Sequence, residues 1–222
     1  MATSAGGQPA NAEPASGAEA ADGQLARAGL LHEAADLVKP VAADPSQLLS
    51  LVTFDVDDQD PGVLAAEGIA TGWTGQVYAS RDAFVVSDYD AASNGMRLLM
   101  YQWNADLGAP RALATGTVPG SIGNSYSLDA HAGYIRAAMT RWEPNGPTGS
   151  WQPHNYLSIL QPVDGQLKLI GQLTDFGANE SIQSVRFVDD LAFVVTFRQT
   201  DPLFTIDLSD PLKPHLIGEL QL

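Results

Sequence analysis

Residues 184–220 read SVRFVDDLAFVVTFRQTDPLFTIDLSDPLKPHLIGEL. Four short runs of alternating, β-branched and aromatic residues are separated by three turn signals, at residues 189–190, 198–202 and 209–211. Runs of this length, punctuated by Asp, Ser and Pro, predict antiparallel strands joined by tight turns. The stretch is therefore expected to form one four-stranded, up-and-down sheet.

The same unit recurs upstream. A run that ends near an acidic turn appears as LLSLVTFDV, RLLMYQWN, NYLSILQ and LFTIDL, and a short run with a glycine follows each of them. These glycines are Gly68, Gly116, Gly171 and Gly218, which are 48, 55 and 47 residues apart. A period of about 50 residues with four strands per unit is typical of the blades of a β-propeller.

The repeat predicts an all-β chain whose residues 48–222 form a partial β-propeller of about three and a half four-stranded antiparallel blades. The half blade covers 48–71, and the complete blades cover 76–118, 124–173 and 182–220. Residues 1–24 are predicted to be disordered, because their Ala, Gly, Pro and Ser residues offer too little apolar surface to offset the entropy of ordering. Residues 25–47 are expected to form a short helix or an irregular lead-in, since their apolar residues are spaced almost as in a helix as far as Lys39-Pro40.

Three and a half blades do not make a ring. Propellers typically close with at least four blades, and each blade buries its faces against its neighbours. We therefore expect a fragment of a larger propeller, or a chain that pairs with a second chain to complete one. The open face of the last blade should include some of Val185, Phe187, Phe193 and Val195.

Composition excludes several classes of protein. The 222 residues carry 26 acidic and 11 basic side chains, a net charge of −15, and this argues against nucleic-acid binding, which needs clustered Lys and Arg. The absence of cysteine excludes disulfides, thiolate zinc sites and cysteine nucleophiles. No apolar run approaches the roughly 18 residues of a transmembrane segment, and the N-terminal residues do not show the pattern of a signal peptide.

The segments quoted above, together with VYASRDAFVV and VPGSIGNSYSLDAHAGYIRAAMT, resemble a known family. This family comprises bacterial and archaeal secreted proteins with a C-terminal beta-propeller domain distantly related to WD repeats. The resemblance covers residues 36–222. It implies a propeller fold, an extracytoplasmic location in secreted or cell-envelope form, and further chain on both sides. It brings no catalytic residues, and the function of the family is undefined.

The chain departs from the family pattern at residues 141–154, RWEPNGPTGSWQPH. This insertion is longer than its counterparts in the other blades, and we expect it to form a surface loop. Trp142, Trp151 and His154 are its candidate binding residues. The loop either folds onto its own blade or contacts a protein or glycan partner through exposed Trp faces.

Two further groups of polar residues are candidates for a specific role. Asp55, Asp57, Asp58 and Asp60 are weak candidates for calcium, but the segment lacks the Gly and Glu positions of an EF-hand, and a solvated acidic hairpin is the preferred interpretation. Arg198 and Asp201 are expected to clamp a turn structurally by a bidentate ion pair, and a ligand contact at the central mouth of the ring is the alternative.

The sequence therefore predicts a scaffold or binding module of the cell envelope that presents loops to a protein or glycan partner, with no cofactor. No catalytic residue is predicted, because none of the common nucleophile, phosphate-binding or zinc motifs is present. The alternative is part of a propeller enzyme whose active site, at the central channel, needs blades outside this chain. A third possibility is a part of the scaffold with no site of its own. Fold class alone does not choose among them.

Overall fold

A computed structural model describes residues 37–38, 46–55, 63–81, 83–104, 109–145, 149–197 and 202–221. Within these ranges every regular element is a strand, apart from one short 3-10 helix at Ser125–Ser127. The predicted all-β fold is confirmed. The segment predicted to be disordered, residues 1–24, lies outside the described residues.

The half blade contains β1 Leu37–Val38, β2 Gln47–Phe54 and β3 Val63–Thr71. Strands β2 and β3 form an antiparallel pair, and β1 runs parallel to β3 along its other edge. Leu37–Val38 therefore form a strand rather than the end of the predicted helix, because the edge of β3 offers backbone groups for pairing. The rest of the predicted lead-in, except for residues 46–47, is outside the described part of the chain.

Three antiparallel four-stranded sheets follow, and they confirm the prediction of about three and a half blades. Blade one contains β4 Thr74–Ala79, β5 Ala83–Asp90, β6 Gly95–Asn104 and β7 Ala109–Pro119. Blade two contains β8 Leu128–His131, β9 Tyr134–Asn145, β10 Ser150–Val163 and β11 Gln166–Thr174. Blade three contains β12 Ser181–Val188, β13 Leu191–Phe197, β14 Pro202–Asp207 and β15 His215–Gln221. The outer strands of blades one and two, β7 and β11, pair at a single position, which joins both blades into one eight-stranded sheet.

The hydrophobic core is divided into layers that lie between successive blades. One layer joins blades one and two through residues such as Leu98 and Ile135, and a second joins blades two and three through residues such as Leu157 and Val194. A third joins the half blade to blade one. Because successive side chains of a strand point to opposite faces, each blade supplies one set of residues to each neighbouring layer.

One face of blade three packs against blade two, and the other, here called the open face, belongs to no core layer of the described residues. Val185 is buried and Phe187 is partly buried in the layer shared with blade two, so the expectation that they lie on the open face is wrong. Phe193 and Val195 do belong to the open face, with Leu203 beside Val195 in the adjacent strand. These three residues belong to none of the core layers that the described residues form. Assignment to a face depends on the pairing register, which the sequence pattern did not provide.

Two of the repeated glycines, Gly116 and Gly171, lie where one blade touches the next. A Cβ atom at Gly116 of blade one would lie 2.6 Å from the carbonyl oxygen of Leu167 in blade two. A Cβ atom at Gly171 of blade two would overlap the carbonyl oxygen of Pro211 in blade three. At Gly218 of blade three the nearest atom to such a Cβ would be 3.8 Å away, in its own neighbour Thr205. Gly116 and Gly171 thus leave room for a backbone segment of the following blade. No backbone segment of another blade occupies the corresponding position at Gly218 among the described residues.

None of the helices in the described residues has the length and apolar character needed to cross a bilayer.

Candidate binding surface

The two ends of each blade carry different connections. Because neighbouring strands are antiparallel, the links between blades and the turns between second and third strands lie at one end, which we call the linker end. The remaining turns lie at the opposite end. Each blade therefore brings two segments of chain to the linker end.

Exposed aromatic side chains are concentrated at the linker end. Eight aromatic residues of the described ranges are exposed, and only Phe54 and Trp103 lie towards the opposite end. The other six are Trp73, Tyr89, Tyr126, Trp142, Trp151 and Phe197. Exposed apolar surface that gathers in one region, rather than scattering, is typical of an interaction surface.

Residues 141–145 and 150–154, here called the Trp hairpin, are the paired end of β9 and beginning of β10 in blade two. The sequence predicted a surface loop, whereas the ladder of β9 and β10 continues without a break as far as the pair Asn145 and Ser150. The prediction of a loop is wrong because aromatic and proline residues pair across the two strands and extend the sheet.

The two faces of the Trp hairpin have different chemistry. Trp142 lies opposite Pro153, and Trp151 lies opposite Pro144, so these four residues share one face. The strand alternation puts this face on the side of Ala138 and Leu157, which pack against blade three. The other face holds Arg141, Glu143, Gln152 and His154. The structure thus brings Trp142 and Trp151 together and separates His154 from them.

A cleft lies between the Trp hairpin and blade three. Its volume is about 320 Å³, at the lower end of the range for small-ligand sites. Trp142, Trp151 and Pro153 form its hairpin side, and Phe197 lies on the side of blade three. Its polar lining residues are Ser150, Gln152, Asn179 and Ser181. A second cleft of about 250 Å³ lies between the hairpin and blade one, where Tyr89 and Asn94 take part in the lining.

Buried polar residues at the base of the hairpin hold the cleft in shape. The side-chain oxygen of Asn155, which is 1% exposed, accepts a hydrogen bond of 2.8 Å from the Thr140 hydroxyl. The Asn155 amide donates to the carbonyl oxygens of Phe176 and Glu180 at 2.9 and 3.0 Å. These carbonyl groups belong to the link that carries Asn179 and Ser181. The segment that forms one wall of the cleft is therefore fixed to the base of the Trp hairpin.

Asn155 was not among the predicted site residues. An amide within the mostly apolar run NYLSILQ is nevertheless a signal for a buried hydrogen-bonding role. His154 next to it lies 3.1 Å, Nδ1 to Oδ1, from the carboxylate of Asp175. Hydrogen bonds from His154 and then Thr174 lower the pKa of Asp175 from its ordinary value. This contact connects the polar face of the hairpin to the link between blades two and three.

A buried ionic network supports the linker end of blade one. Arg97 donates from Nη1 to Asp88 at 3.1 Å and from Nη2 to Asp90 at 2.9 Å, and all three residues are buried. Asp88 also accepts a 3.0 Å hydrogen bond from the backbone N–H of Trp73. A hydrogen bond from Ser93, together with the charge of Arg97, lowers the pKa of Asp90. The network fixes the link that carries the exposed Trp73 side chain.

A second network joins blades two and three near the opposite end. Arg136 donates from Nε to Asp129 at 2.7 Å and from Nη1 to the carbonyl oxygen of Asp189 at 2.6 Å. Its guanidinium also lies over the ring of Phe187, 5.1 Å from the centroid. Neither network was predicted from the sequence, and the signal for each was an Arg flanked by apolar residues within a strand.

The other predicted site residues are placed as follows. Asp55 is exposed just after β2, whereas Asp57, Asp58 and Asp60 lie outside the described residues. Arg198 and Asp201 lie outside them too, so the clamp stays a prediction. No three His, Asp or Glu side chains gather into a possible metal site within the described ranges.

The sequence matches the family described as beta propeller domain over residues 24–222. The match covers most of the chain, and the chain therefore belongs to the beta-propeller domain family. An uncharacterised protein of Archaeoglobus fulgidus is 41% identical over 107 residues, which are 48% of this chain and 15% of that protein. An uncharacterised protein of Methanocaldococcus jannaschii is 35% identical over 109 residues, which are 49% of this chain and 16% of that protein. The matched part of this chain thus spans less than a fifth of the length of either relative.

Proposed function

We propose that this chain is a scaffold and binding module of the cell envelope that presents its linker end, and above all the Trp hairpin, to an extracytoplasmic partner. The observation that carries the proposal is the gathering of six of the eight exposed aromatic residues of the described ranges at that end. Aromatic residues supply most of the binding energy of many interfaces, because they bury a large area at little entropic cost. The extracytoplasmic location rests on the family resemblance.

The partner that completes the ring is, in this proposal, a set of further blades. The open face of Phe193, Val195 and Leu203 offers the same kind of apolar surface that blade two offers to blade three. Gly218 offers the gap that the turn of a following blade would enter, as Pro211 does at Gly171. The relatives are several times longer than the stretch that matches, which is consistent with additional blades in one polypeptide.

The proposal is tested by oxidative footprinting of the chain in the presence of isolated cell envelopes from the source organism. Trp142 and Trp151 are expected to become protected several-fold against oxidation, because the partner covers their rings. Trp103 is the matched internal control, since it is an exposed Trp towards the opposite end. Equal protection of Trp103, or no protection of the hairpin, would contradict the proposal.

A further inference from the structure

The geometry points to an uncharged polysaccharide strand as the ligand of the cleft between the Trp hairpin and blade three. This inference rests on the proposed function, because it assumes that the linker end is the binding surface. It goes further by assigning the chemical class of the ligand and the residues that contact it.

The aromatic side chains of the cleft offer ring surface rather than deep pockets. Trp142 is 51% exposed, Trp151 is 61% exposed and Phe197 is 49% exposed. Sugar rings have flat apolar faces made of C–H groups, and such faces pack on exposed aromatic rings that keep a polar edge in water. Two Trp on one face of a hairpin provide two such surfaces along one path.

The polar part of the lining suits hydroxyl groups. Asn179 and Ser181 are among the lining residues and carry an amide and a hydroxyl, which both donate and accept hydrogen bonds. A sugar hydroxyl also donates and accepts hydrogen bonds, so the protein groups and the sugar can pair without a change of protonation. A ligand without hydroxyls or amides would leave this part of the lining unused.

The charge distribution favours an uncharged ligand. No Asp, Glu, Lys or Arg is among the described residues that line this cleft. The nearest charges on the hairpin, Arg141 and Glu143, lie on its other face and pair with each other at 3.0 Å. The chain as a whole carries a net charge of −15, which would repel an anionic polymer.

The cleft is also preorganised. The hydrogen bonds of Asn155 and Thr140 fix the link that carries Asn179 and Ser181, and Ile182 donates from its backbone N–H to the Thr140 hydroxyl at 3.1 Å. Glu180 in the same link accepts a 2.5 Å hydrogen bond from Thr196 of blade three. A wall that is ordered before binding loses little entropy on binding, which matters for a ligand held by shallow contacts.

The first test is affinity electrophoresis of the folded chain in native gels that contain dextran, a β-glucan, mannan or galactan. At least one of these uncharged polymers is expected to retard the chain. The variants Trp142→Ala and Trp151→Ala are each expected to weaken the retardation by about tenfold, the usual cost of an aromatic anchor. Trp103→Ala is the matched control and should migrate like the original chain, and near-ultraviolet circular dichroism checks that each variant is folded.

A second test repeats the footprinting with treated envelopes, so that failure of this inference is distinguishable from failure of the proposed function. Periodate destroys sugar rings, and protease removes protein partners. Loss of Trp142 and Trp151 protection after periodate alone supports the inference, even if none of the four polymers binds. Protection that survives periodate but is lost after protease overturns it and identifies a protein partner, for which a proline-rich segment would suit the aromatic cleft. Protection that survives both treatments also overturns it.

Discussion

Arg97 shows how a single charged side chain organises part of this chain. It lies between Met96 and Leu98 in β6, and its charge is balanced by Asp88 and Asp90, which are also buried. A buried ion pair often adds little net stability compared with an apolar pair, but removal of one member leaves an uncompensated charge. The role of Arg97 is therefore to pair with two buried carboxylates beneath the link that carries Trp73.

The first prediction at this scale concerns Arg97→Met. The variant keeps most of the side-chain volume and should lower the free energy of unfolding at pH 7 by about 3–5 kcal/mol. Urea unfolding followed by circular dichroism measures the change. Arg111→Met is the matched control, since Arg111 is exposed on a strand of the same blade, and it should alter stability by less than about 0.5 kcal/mol.

The loss of unfolding free energy caused by Arg97→Met should also depend on pH. The pKa of Asp90 is lowered in the folded chain, so its contribution to stability is present above the unfolded pKa of about 4 and is lost as pH falls through the folded pKa. The difference in stability between the original chain and the variant should therefore shrink as pH falls below about 4. A difference that stays constant from pH 7 to pH 3 would show that lost packing, rather than charge, explains the cost.

At the scale of the strand, the repeated glycines define how one blade meets the next. Each lies in an outer strand, and Gly116 and Gly171 touch a segment that follows the third strand of the next blade. A side chain at either position would force the two blades apart, and this explains why the glycine recurs with the blade period. Gly218 has the same position in its own blade but touches no following blade.

The second prediction compares Gly171→Ala with Gly218→Ala. The first should lower the free energy of unfolding by about 1–3 kcal/mol, because the new methyl group overlaps the backbone of Pro211. The second should change it by less than about 0.5 kcal/mol, because the nearest atom leaves room for a methyl group. Thermal unfolding of both variants, side by side, measures the difference. If both variants lost the same free energy of unfolding, the glycines would act through strand propensity and not through contact between blades.

At the scale of the whole molecule, the stack of blades has an open apolar face on blade three. Val194 and Val195 are neighbours in β13 and lie on opposite faces. Val194 is fully buried in the layer shared with blade two, whereas Val195 is half-buried beside Phe193 and Leu203 on the open face. An apolar face of this kind promotes association between copies when no further blade covers it.

The third prediction uses this pair of valines. Val195→Lys should reduce self-association of the chain and leave its melting temperature nearly unchanged, since the new charge can reach water. Val194→Lys should prevent stable folding, since it places an unpaired charge in the core. Light scattering after size-exclusion chromatography measures the association, and circular dichroism measures folding. An original chain that is strictly monomeric at all concentrations would count against the open face as a contact surface.

The sequence alone determined the strands, the turns and the repeat. Residues 184–220 identify one blade because alternation of side chains and turn chemistry are local properties that a few neighbouring residues express. The glycine period identified the other blades for the same reason. The two Trp of the insertion stood out by composition, and their role as a binding site remained a prediction.

Only the tertiary structure decided which residues meet. It placed Val185 against blade two and Val195 on the open face. This assignment depends on the pairing register, because a shift of the register by one residue would move each side chain to the opposite face. It joined Arg136 to the carbonyl oxygen of Asp189, 53 residues away, and Gly116 to Leu167. It also aligned Trp142 and Trp151 on one face of a hairpin and left His154 on the other. Contacts between blades connect segments about 50 residues apart, and no local pattern specifies them, because they arise only when complete sheets pack face to face.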